Sequence, residues 1–291
     1  MIDVGSHTVR LLVAVREKSQ DMRVLREAKA AVGLGADVER FGRISEEKLA
    51  ETGAHVHSFA RMARKWGAAR IEILVTAPGR QSENGTGLAR ILQEAGGAPV
   101  RVLSPDEEGR LAFTGATHGA LMSDDTVAVC DVGGGSTEVV VGTREGGPVW
   151  VRSIDIGALR LTGRMLPEDP PGAAALAAAR GATESELDPF TPPLPQVALA
   201  TGGTARALRK LVGSSLGPEE LETVHSLLAR RSSARIAKTF GIHHERARTL
   251  AAGAVILAAL QQRLGVPLAV SRTGLREGAV RVMLDEAVAA A

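Results

Sequence analysis

The chain has 291 residues and a mass of 30.3 kDa, which is about the length of two domains. Its 44% hydrophobic and 23% charged residues exclude wholesale disorder, and its 35 basic residues nearly balance 33 acidic ones, which argues against a basic face for duplex DNA. Only 2% of the residues are aromatic and none is tyrosine, so a stacking platform for nucleic-acid bases is not expected either.

The cysteine content and the absence of signal-peptide and membrane-spanning patterns indicate the cellular compartment. A single cysteine, Cys130, excludes a disulfide framework and a cysteine-built zinc site. No signal-peptide pattern opens the chain, and the most apolar stretch, 250–260, is too short to span a bilayer. We therefore expect a cytoplasmic protein with no membrane partner.

The first half of the chain alternates strand and helix patterns. Only Met1 and Ile2 precede Asp3, so we expect almost no strand before the first glycine turn. Short β-branched runs predict strands, and runs that follow a capping residue predict helices. The predicted strands are 9–15, 22–32, 71–76 and 100–103, and the predicted helices are 45–66, 88–95 and one that runs from 104 towards 120.

The second half begins with another strand, turn and strand. Proline-rich stretches at 167–171 and 189–195 bracket an alanine-rich helical segment. Helical periodicity then extends over 219–264, and a last helix begins at 275. The predicted strands of this half are 126–131, 137–141, 149–154, 197–200 and 268–271.

One pattern occurs twice. The segments 3–6 and 131–136 both place an acid before a glycine turn that carries a serine. This repeat predicts an internal duplication, with two α/β domains that each open on such a turn. We place the domains at 1–120, joined by the C-terminal helix 275–291, and at 121–274.

The second of these turns has the chemistry of a phosphate site. Consecutive backbone amides of a glycine turn converge on an anion, and a following hydroxyl adds a donor. An aspartate at a strand end can hold hydrated Mg²⁺, and a glutamate two residues past the serine lies on the same face as its hydroxyl. The alternative is a plain glycine hairpin. The residues concerned are Asp131, Gly133, Gly134, Gly135, Ser136 and Glu138.

Two further turns extend this pattern. Gly5 and Ser6 in the first turn would clamp a phosphate chain from the opposite side, although alone they are equally compatible with an ordinary turn. The third turn, Gly202, Gly203 and Thr204, opens a helix that carries Arg206, Arg209 and Lys210. A helix N-terminus attracts phosphate, and the alternative is a tight strand-to-helix connection.

In this order the motifs resemble the exopolyphosphatase/guanosine pentaphosphate phosphohydrolase family. The resemblance implies the superfamily of actin, sugar kinases and chaperone ATPases, with two ribonuclease-H-like α/β domains and an active site in the interdomain cleft. Its motifs are Asp-Val-Gly-Ser at 3–6, Thr76 with Arg80, Glu-Glu-Gly-Arg at 107–110, Asp-Val-Gly-Gly-Gly-Ser-Thr-Glu at 131–138, Thr-Gly-Gly-Thr at 201–204 and Gly-Leu-Arg-Glu-Gly at 274–278.

The resemblance also implies a role for individual residues. Glu108 matches the general base, and Arg80 matches an arginine directed at the substrate chain. Asp131 and Glu138 match the residues that place metal and water, and Asp3 of the first loop would be a further metal ligand. Without the resemblance, Glu108 would be interpreted as an exposed acid and Arg80 as a surface arginine. Where the family usually has Asn in the first loop, this chain has His7.

These observations together predict a magnesium-dependent exopolyphosphatase, which releases orthophosphate from the end of inorganic polyphosphate. Guanosine pentaphosphate is the second candidate substrate. A phosphotransferase of the same superfamily and an actin-like nucleotide-binding scaffold are the remaining alternatives, and a scaffold would have no need of Glu108 as a base. We also expect a homodimer, a prediction that does not rest on any particular sequence feature.

Overall fold

The computed structural model describes residues 1–17, 22–118 and 125–289. The chain divides into two compact units, one formed by Met1–Leu111 with Arg276–Ala291 and the other by Ala112–Leu275. The boundary placed between residues 120 and 121, and the helix end expected at Ala120, lie outside the described residues.

The first unit is built on a five-stranded sheet in the order β3-β2-β1-β4-β5. The expectation of almost no first strand is wrong, because Ile2–Val4 forms the middle strand and pairs on both sides. Ile2 and Val4 are fully buried, so a three-residue strand is stabilised by two neighbours and by the core. The strands are β1 (Ile2–Val4), β2 (Thr8–Arg16), β3 (Met22–Ala31), β4 (Ile73–Val75) and β5 (Val100–Val102).

Among the described residues, six helices belong wholly or partly to this unit, and one of them, at Pro105–Thr117, continues past Leu111 into the second unit. The predicted helix at 45–66 is present as Glu46–Lys65, and the Oγ of Ser45 accepts a hydrogen bond from the amide of Lys48. Two short helices were not predicted, α1 and α3, and neither has a side-chain cap. The helices are α1 (Leu34–Phe41), α2 (Glu46–Lys65), α3 (Ala77–Gln81), α4 (Gly85–Gly96), α5 (Pro105–Thr117) and α13 (Leu275–Ala289).

The second unit is built on a six-stranded sheet in the order β10-β11-β9-β6-β7-β8. As in the first unit, three antiparallel strands are followed by two parallel additions, here β9 and β11. The shared strand order confirms the predicted fold class, two ribonuclease-H-like α/β domains. The strands are β6 (Val127–Val132), β7 (Thr137–Thr143), β8 (Gly147–Ile154), β9 (Val197–Thr201), β10 (Ser215–Leu216) and β11 (Leu268–Val270).

Helix α12 forms the centre of the second core, and nearly all of its residues are buried. The helical stretch predicted at 219–264 is four helices, since turns interrupt it near residues 230, 241 and 249. In the described part of the chain, no helix is long and apolar enough to cross a membrane. The helices are α6 (Ala158–Met165), α7 (Gly172–Leu187), α8 (Gly202–Val212), α9 (Pro218–Leu228), α10 (Ser233–Phe240), α11 (His244–Arg248) and α12 (Leu250–Leu264).

Candidate active site

The first two glycine turns close equivalent hairpins in the two units. In the β1–β2 hairpin the amide of Gly5 donates to the carbonyl of Thr8 at 3.1 Å. In the β6–β7 hairpin the amide of Gly133 donates to the carbonyl of Ser136 at 3.0 Å. The same hydrogen bond at the same place supports the predicted duplication at the level of single residues.

The turn at 133–136 is fixed to the N-terminus of α6 through its carbonyl groups. The oxygen of Gly133 accepts from the amide of Ala158 at 2.9 Å, and the oxygen of Gly134 accepts from the amides of Leu159 and Arg160 at 3.0 and 3.1 Å. In a trans peptide the carbonyl and the following N–H point in opposite directions. The amides of Gly134 and Gly135 therefore point away from α6, which is the arrangement that an anion-binding turn requires.

A row of polar residues crosses four strands beside this turn. Asp131 on β6 pairs directly with Glu138 on β7 and with Thr201 on β9, and Glu138 pairs with Ser153 on β8. Paired residues of adjacent strands point to the same face of a sheet, so the four side chains share one face. Glu138 is only 1% exposed, and its Oε1 accepts from the Oγ of Ser153 at 2.9 Å. Sequence reasoning missed Ser153, since only the strand register aligns it with Glu138.

Asp131 lies against the start of α8. Gly202 has φ +86, a backbone conformation that favours glycine, and a Cβ there would overlap Oδ1 of Asp131. The third glycine turn therefore accommodates the carboxylate of the second turn's aspartate. A carboxylate next to a helix N-terminus is also electrostatically favourable.

Arg246 of α11 covers the same helix start. A Cβ on Gly203 would lie 2.8 Å from Nη2 of Arg246, and Nη1 of Arg246 donates to Oγ1 of Thr204 at 3.4 Å. The Thr204 hydroxyl donates its own proton to the carbonyl of Val132 at 3.2 Å. Thr204 thus ties α8 to β6, and Arg246 brings a positive charge that no sequence pattern singled out.

In the first unit, the candidate base and the candidate substrate arginine contact each other. Nη1 of Arg80 donates to Oε2 of Glu108 at 2.8 Å and to the carbonyl of Leu103 at 2.7 Å. Glu108 is only 8% exposed, so its interpretation as an exposed acid is wrong. The side chain of Arg80 is 16% exposed, so it is not an ordinary surface arginine. The charge-assisted hydrogen bond orients both groups.

The helix that carries Glu108 begins with a complete capping box. The Oγ of Ser104 accepts from the amide of Glu107 at 3.2 Å, and Oε2 of Glu107 accepts from the amide of Ser104 at 2.8 Å. The backbone hydrogen bond from Ser104 lowers the pKa of Glu107. Glu107 therefore holds the first turn of α5, and the adjacent Glu108 is left for the contact with Arg80.

The first glycine turn is anchored differently from the second. The carbonyl of Ser6 accepts from the amide of Gly35 at 2.8 Å, and the carbonyl of His7 accepts from the amide of Val32 at 3.0 Å. Asp3, two residues before Gly5, pairs with Arg10 across the hairpin. Its partner in the register is thus a cation, whereas the equivalent Asp131 faces a second carboxylate.

The donor set bears on the expected magnesium ion. Among the described residues, no group of three or more His, Cys, Asp and Glu side chains could hold a metal by itself. Asp131 and Glu138 are two hard oxygen donors on neighbouring strands. Mg²⁺ is usually bound through one or two carboxylates together with water and substrate phosphates, so this pair fits the ion.

The only cysteine is not available for chemistry. Cys130 precedes Asp131 on β6 and is fully buried. Burial, with a smaller contribution from the charge of Asp131, raises the pKa of its thiol to about 12. A group that stays protonated is neither a nucleophile nor a metal ligand.

Comparison with known proteins agrees with the fold and with the motifs. The model of the Ppx/GppA phosphatase family matches residues 13–287. Exopolyphosphatase 1 of Mycobacterium tuberculosis is 29% identical over 98% of this chain and 88% of its own length, and Exopolyphosphatase 2 of that organism is 28% identical over 90% and 89%.

Solved structures of Ppx/GppA proteins and exopolyphosphatases have the same fold as this chain. The Ppx/GppA family member from Aquifex aeolicus superposes with a TM-score of 0.83 at 26% identity, over 98% of this chain and 96% of that one. An exopolyphosphatase from Cytophaga hutchinsonii shares the fold with a TM-score of 0.90 at 22% identity, over 98% and 97% of the two chains. Because the family model covers nearly the whole sequence, this chain belongs to the Ppx/GppA phosphatase family.

Proposed function

We propose that this protein is a cytoplasmic, magnesium-dependent exopolyphosphatase that hydrolyses the terminal phosphoanhydride bond of inorganic polyphosphate. The observation that carries the proposal is the turn at 133–136, whose Gly134 and Gly135 amides point away from α6 beside the carboxylates of Asp131 and Glu138. Relatives named exopolyphosphatase match almost the full length of the chain, which supports the same activity.

Glu108 is the proposed general base. Hydrolysis requires a water to attack the terminal phosphorus, a carboxylate to accept its proton, and cleavage of the bond to the bridging oxygen. The contact with Nη1 of Arg80 fixes the direction of the Glu108 carboxylate. Arg80 then acts on the base as well as on the substrate, since a guanidinium has five N–H donors and can contact both.

Asp131 and Glu138 are the proposed magnesium ligands. Carboxylates that lie directly opposite each other on a sheet repel, and a cation between them offsets that cost. Magnesium bound there would supply positive charge to the phosphoryl oxygens. The hydrogen bond from Ser153 holds Glu138 in place, and the amides of the 133–136 turn contribute donors to the phosphate.

Inorganic polyphosphate is the preferred substrate because the site residues address phosphate oxygens and no base. The chain has no tyrosine, five phenylalanines and two tryptophans. One of these tryptophans, Trp150, is occupied edge-on against Phe190 at 5.2 Å. A guanine base therefore has few stacking partners in this protein.

The test is release of orthophosphate from polyphosphate, guanosine pentaphosphate and ATP, each assayed separately with Mg²⁺. We expect the highest kcat/KM for polyphosphate. A tenfold preference for guanosine pentaphosphate, about 1.4 kcal/mol in the transition state, would assign the other substrate. Transfer of phosphate to an acceptor with no release to water would favour the phosphotransferase. Light scattering of the same sample tests the expected homodimer.

A further inference from the structure

Basic residues concentrate on one part of the second unit. The segments 202–217 and 229–243 contain seven lysines and arginines and no aspartate or glutamate, and the three glutamates of this region lie on α9 between them, at 219, 220 and 222. The whole chain carries a formal charge of only +2. The first segment contains α8, which begins at the third glycine turn, and the second contains α10. The positive charge is therefore concentrated locally rather than spread evenly along the chain.

Two cations of α8 lie on the same face of the helix as Gly203 of the third glycine turn. The spacing is i, i+3 and i+7 for Gly203, Arg206 and Lys210. The distance along the helix axis from Gly203 to Lys210 is about 10 Å. At the N-terminal end, the guanidinium of Arg246 covers Gly203. Nη1 of Arg206 donates to the backbone carbonyl of Arg272 at 3.4 Å, and Arg272 is itself exposed.

The charged face continues onto α10. Nζ of Lys210 donates to the carbonyl of Gly241 at 2.6 Å, directly after the C-terminus of α10. Lys238 occupies the last turn of that helix and is exposed. We call the surface formed by Arg206, Arg272, Lys210 and Lys238 the basic strip.

We propose that the basic strip binds the internal phosphates of a polyphosphate chain while the terminal phosphate is hydrolysed. This inference rests on the proposed function and assigns a path to the part of the substrate that does not react. Charge complementarity supports it, because a linear polyanion matches cations that follow one another along a helix face. The strip contains no aromatic side chain, and the nearby Phe240 packs against the core, so the surface is not suited to stacking nucleic-acid bases.

The test uses Arg206→Gln, Lys238→Gln and the double variant. Arg144→Gln is the matched control, because Arg144 is exposed in the β7–β8 turn, at the end of β7 opposite the glycine turn. Binding of long-chain polyphosphate is measured in EDTA, without turnover, over a range of salt concentrations. We expect the Kd at low salt to rise about two- to fivefold for each charge removed, and the salt slope to fall by about 0.7 for each. Arg144→Gln should bind as the wild type does.

Phosphate release is then compared for long-chain polyphosphate and for tripolyphosphate, which is too short to reach along the strip. The ratio of kcat/KM for long-chain polyphosphate to kcat/KM for tripolyphosphate should fall in the strip variants. Unchanged binding, slope and ratio would overturn the inference. A single-stranded oligonucleotide that binds as tightly as polyphosphate, and loses affinity in the same variants, would assign the strip to nucleic acid. If wild-type protein releases no phosphate, the proposed function fails, whereas the binding series still decides the strip.

Discussion

At the scale of single residues, the adjacent glutamates Glu107 and Glu108 have identical side chains but different structural roles. Glu107 is bound by the backbone of Ser104 and completes the cap of α5. Glu108 lies one residue on, is largely buried, and contacts Arg80. Burying a carboxylate costs free energy unless a partner compensates for its charge. Arg80 is that partner for Glu108, and its hydrogen bond also fixes the orientation of the carboxylate.

Replacing Glu108 therefore tests the proposed base. In Glu108→Gln the amide oxygen can still accept from Arg80, so we expect the fold to persist while kcat falls by roughly 10²–10⁴, the usual contribution of a general base. The measurement is kcat and KM for phosphate release, together with a thermal melt. Glu107→Gln is the control and should retain kcat, with a loss of stability of about 0.5–1 kcal/mol from the weakened cap. Near-normal turnover in Glu108→Gln would exclude it from the mechanism.

At the scale of secondary-structure elements, α6 determines the shape of the second glycine turn. Its first amides bind the carbonyls of Gly133 and Gly134, and the contact is close because Gly157, the N-cap, has no side chain. A Cβ at Gly157 would overlap the carbonyl of Gly134. The φ of −132° at Gly157 is allowed for alanine, so backbone strain does not disfavour a side chain at this position. Only the close contact with the 133–136 turn disfavours it.

Gly157→Ala should displace the turn without unfolding the unit. We expect a loss of about 1–3 kcal/mol in the free energy of unfolding, typical of overpacking, and a raised KM for polyphosphate. The control is Gly163→Ala in the same helix, where nothing lies within 4 Å of the new Cβ. That change should be neutral or stabilise by up to about 1 kcal/mol. Denaturant unfolding and steady-state kinetics of both variants measure the effect, and wild-type values for Gly157→Ala would contradict this account.

The elements also show what a sequence can predict. The glycine turns are local patterns, so their hairpins and their position at strand ends could be recognised directly. Helices α1 and α3 were missed because α1 follows Gly33, which has φ +64, and α3 contains Pro78 and Gly79, a pair typical of turns. The pairing of Glu138 with Ser153 depends on strand register, and a shift of one residue would have separated the two. The contact of Arg80 with Glu108 joins separate helices, which no local pattern encodes.

At the scale of the whole molecule, the two units share a strand order and a glycine hairpin but differ in charge. Asp3 and Asp131 occupy equivalent positions, two residues before Gly5 and Gly133. Across the hairpin Asp3 pairs with Arg10, whereas Asp131 pairs with Glu138. The electrostatic demand for a cation therefore differs between the two copies of the same motif, and it is greater in the second unit.

This difference predicts unequal responses to magnesium. Activity should disappear in EDTA and return with added Mg²⁺, and Asp131→Asn should lose at least about tenfold in kcat/KM and no longer recover at high Mg²⁺, because half of the carboxylate pair is lost. Asp3→Asn should lose less and should still respond to the ion, because Arg10 already faces that position. Titration of phosphate release against Mg²⁺ for both variants, with calorimetry of Mg²⁺ binding, separates the two roles. Full activity in EDTA would refute the metal assignment, and equal loss of the magnesium response in both variants would contradict the difference in charge between the two copies of the motif.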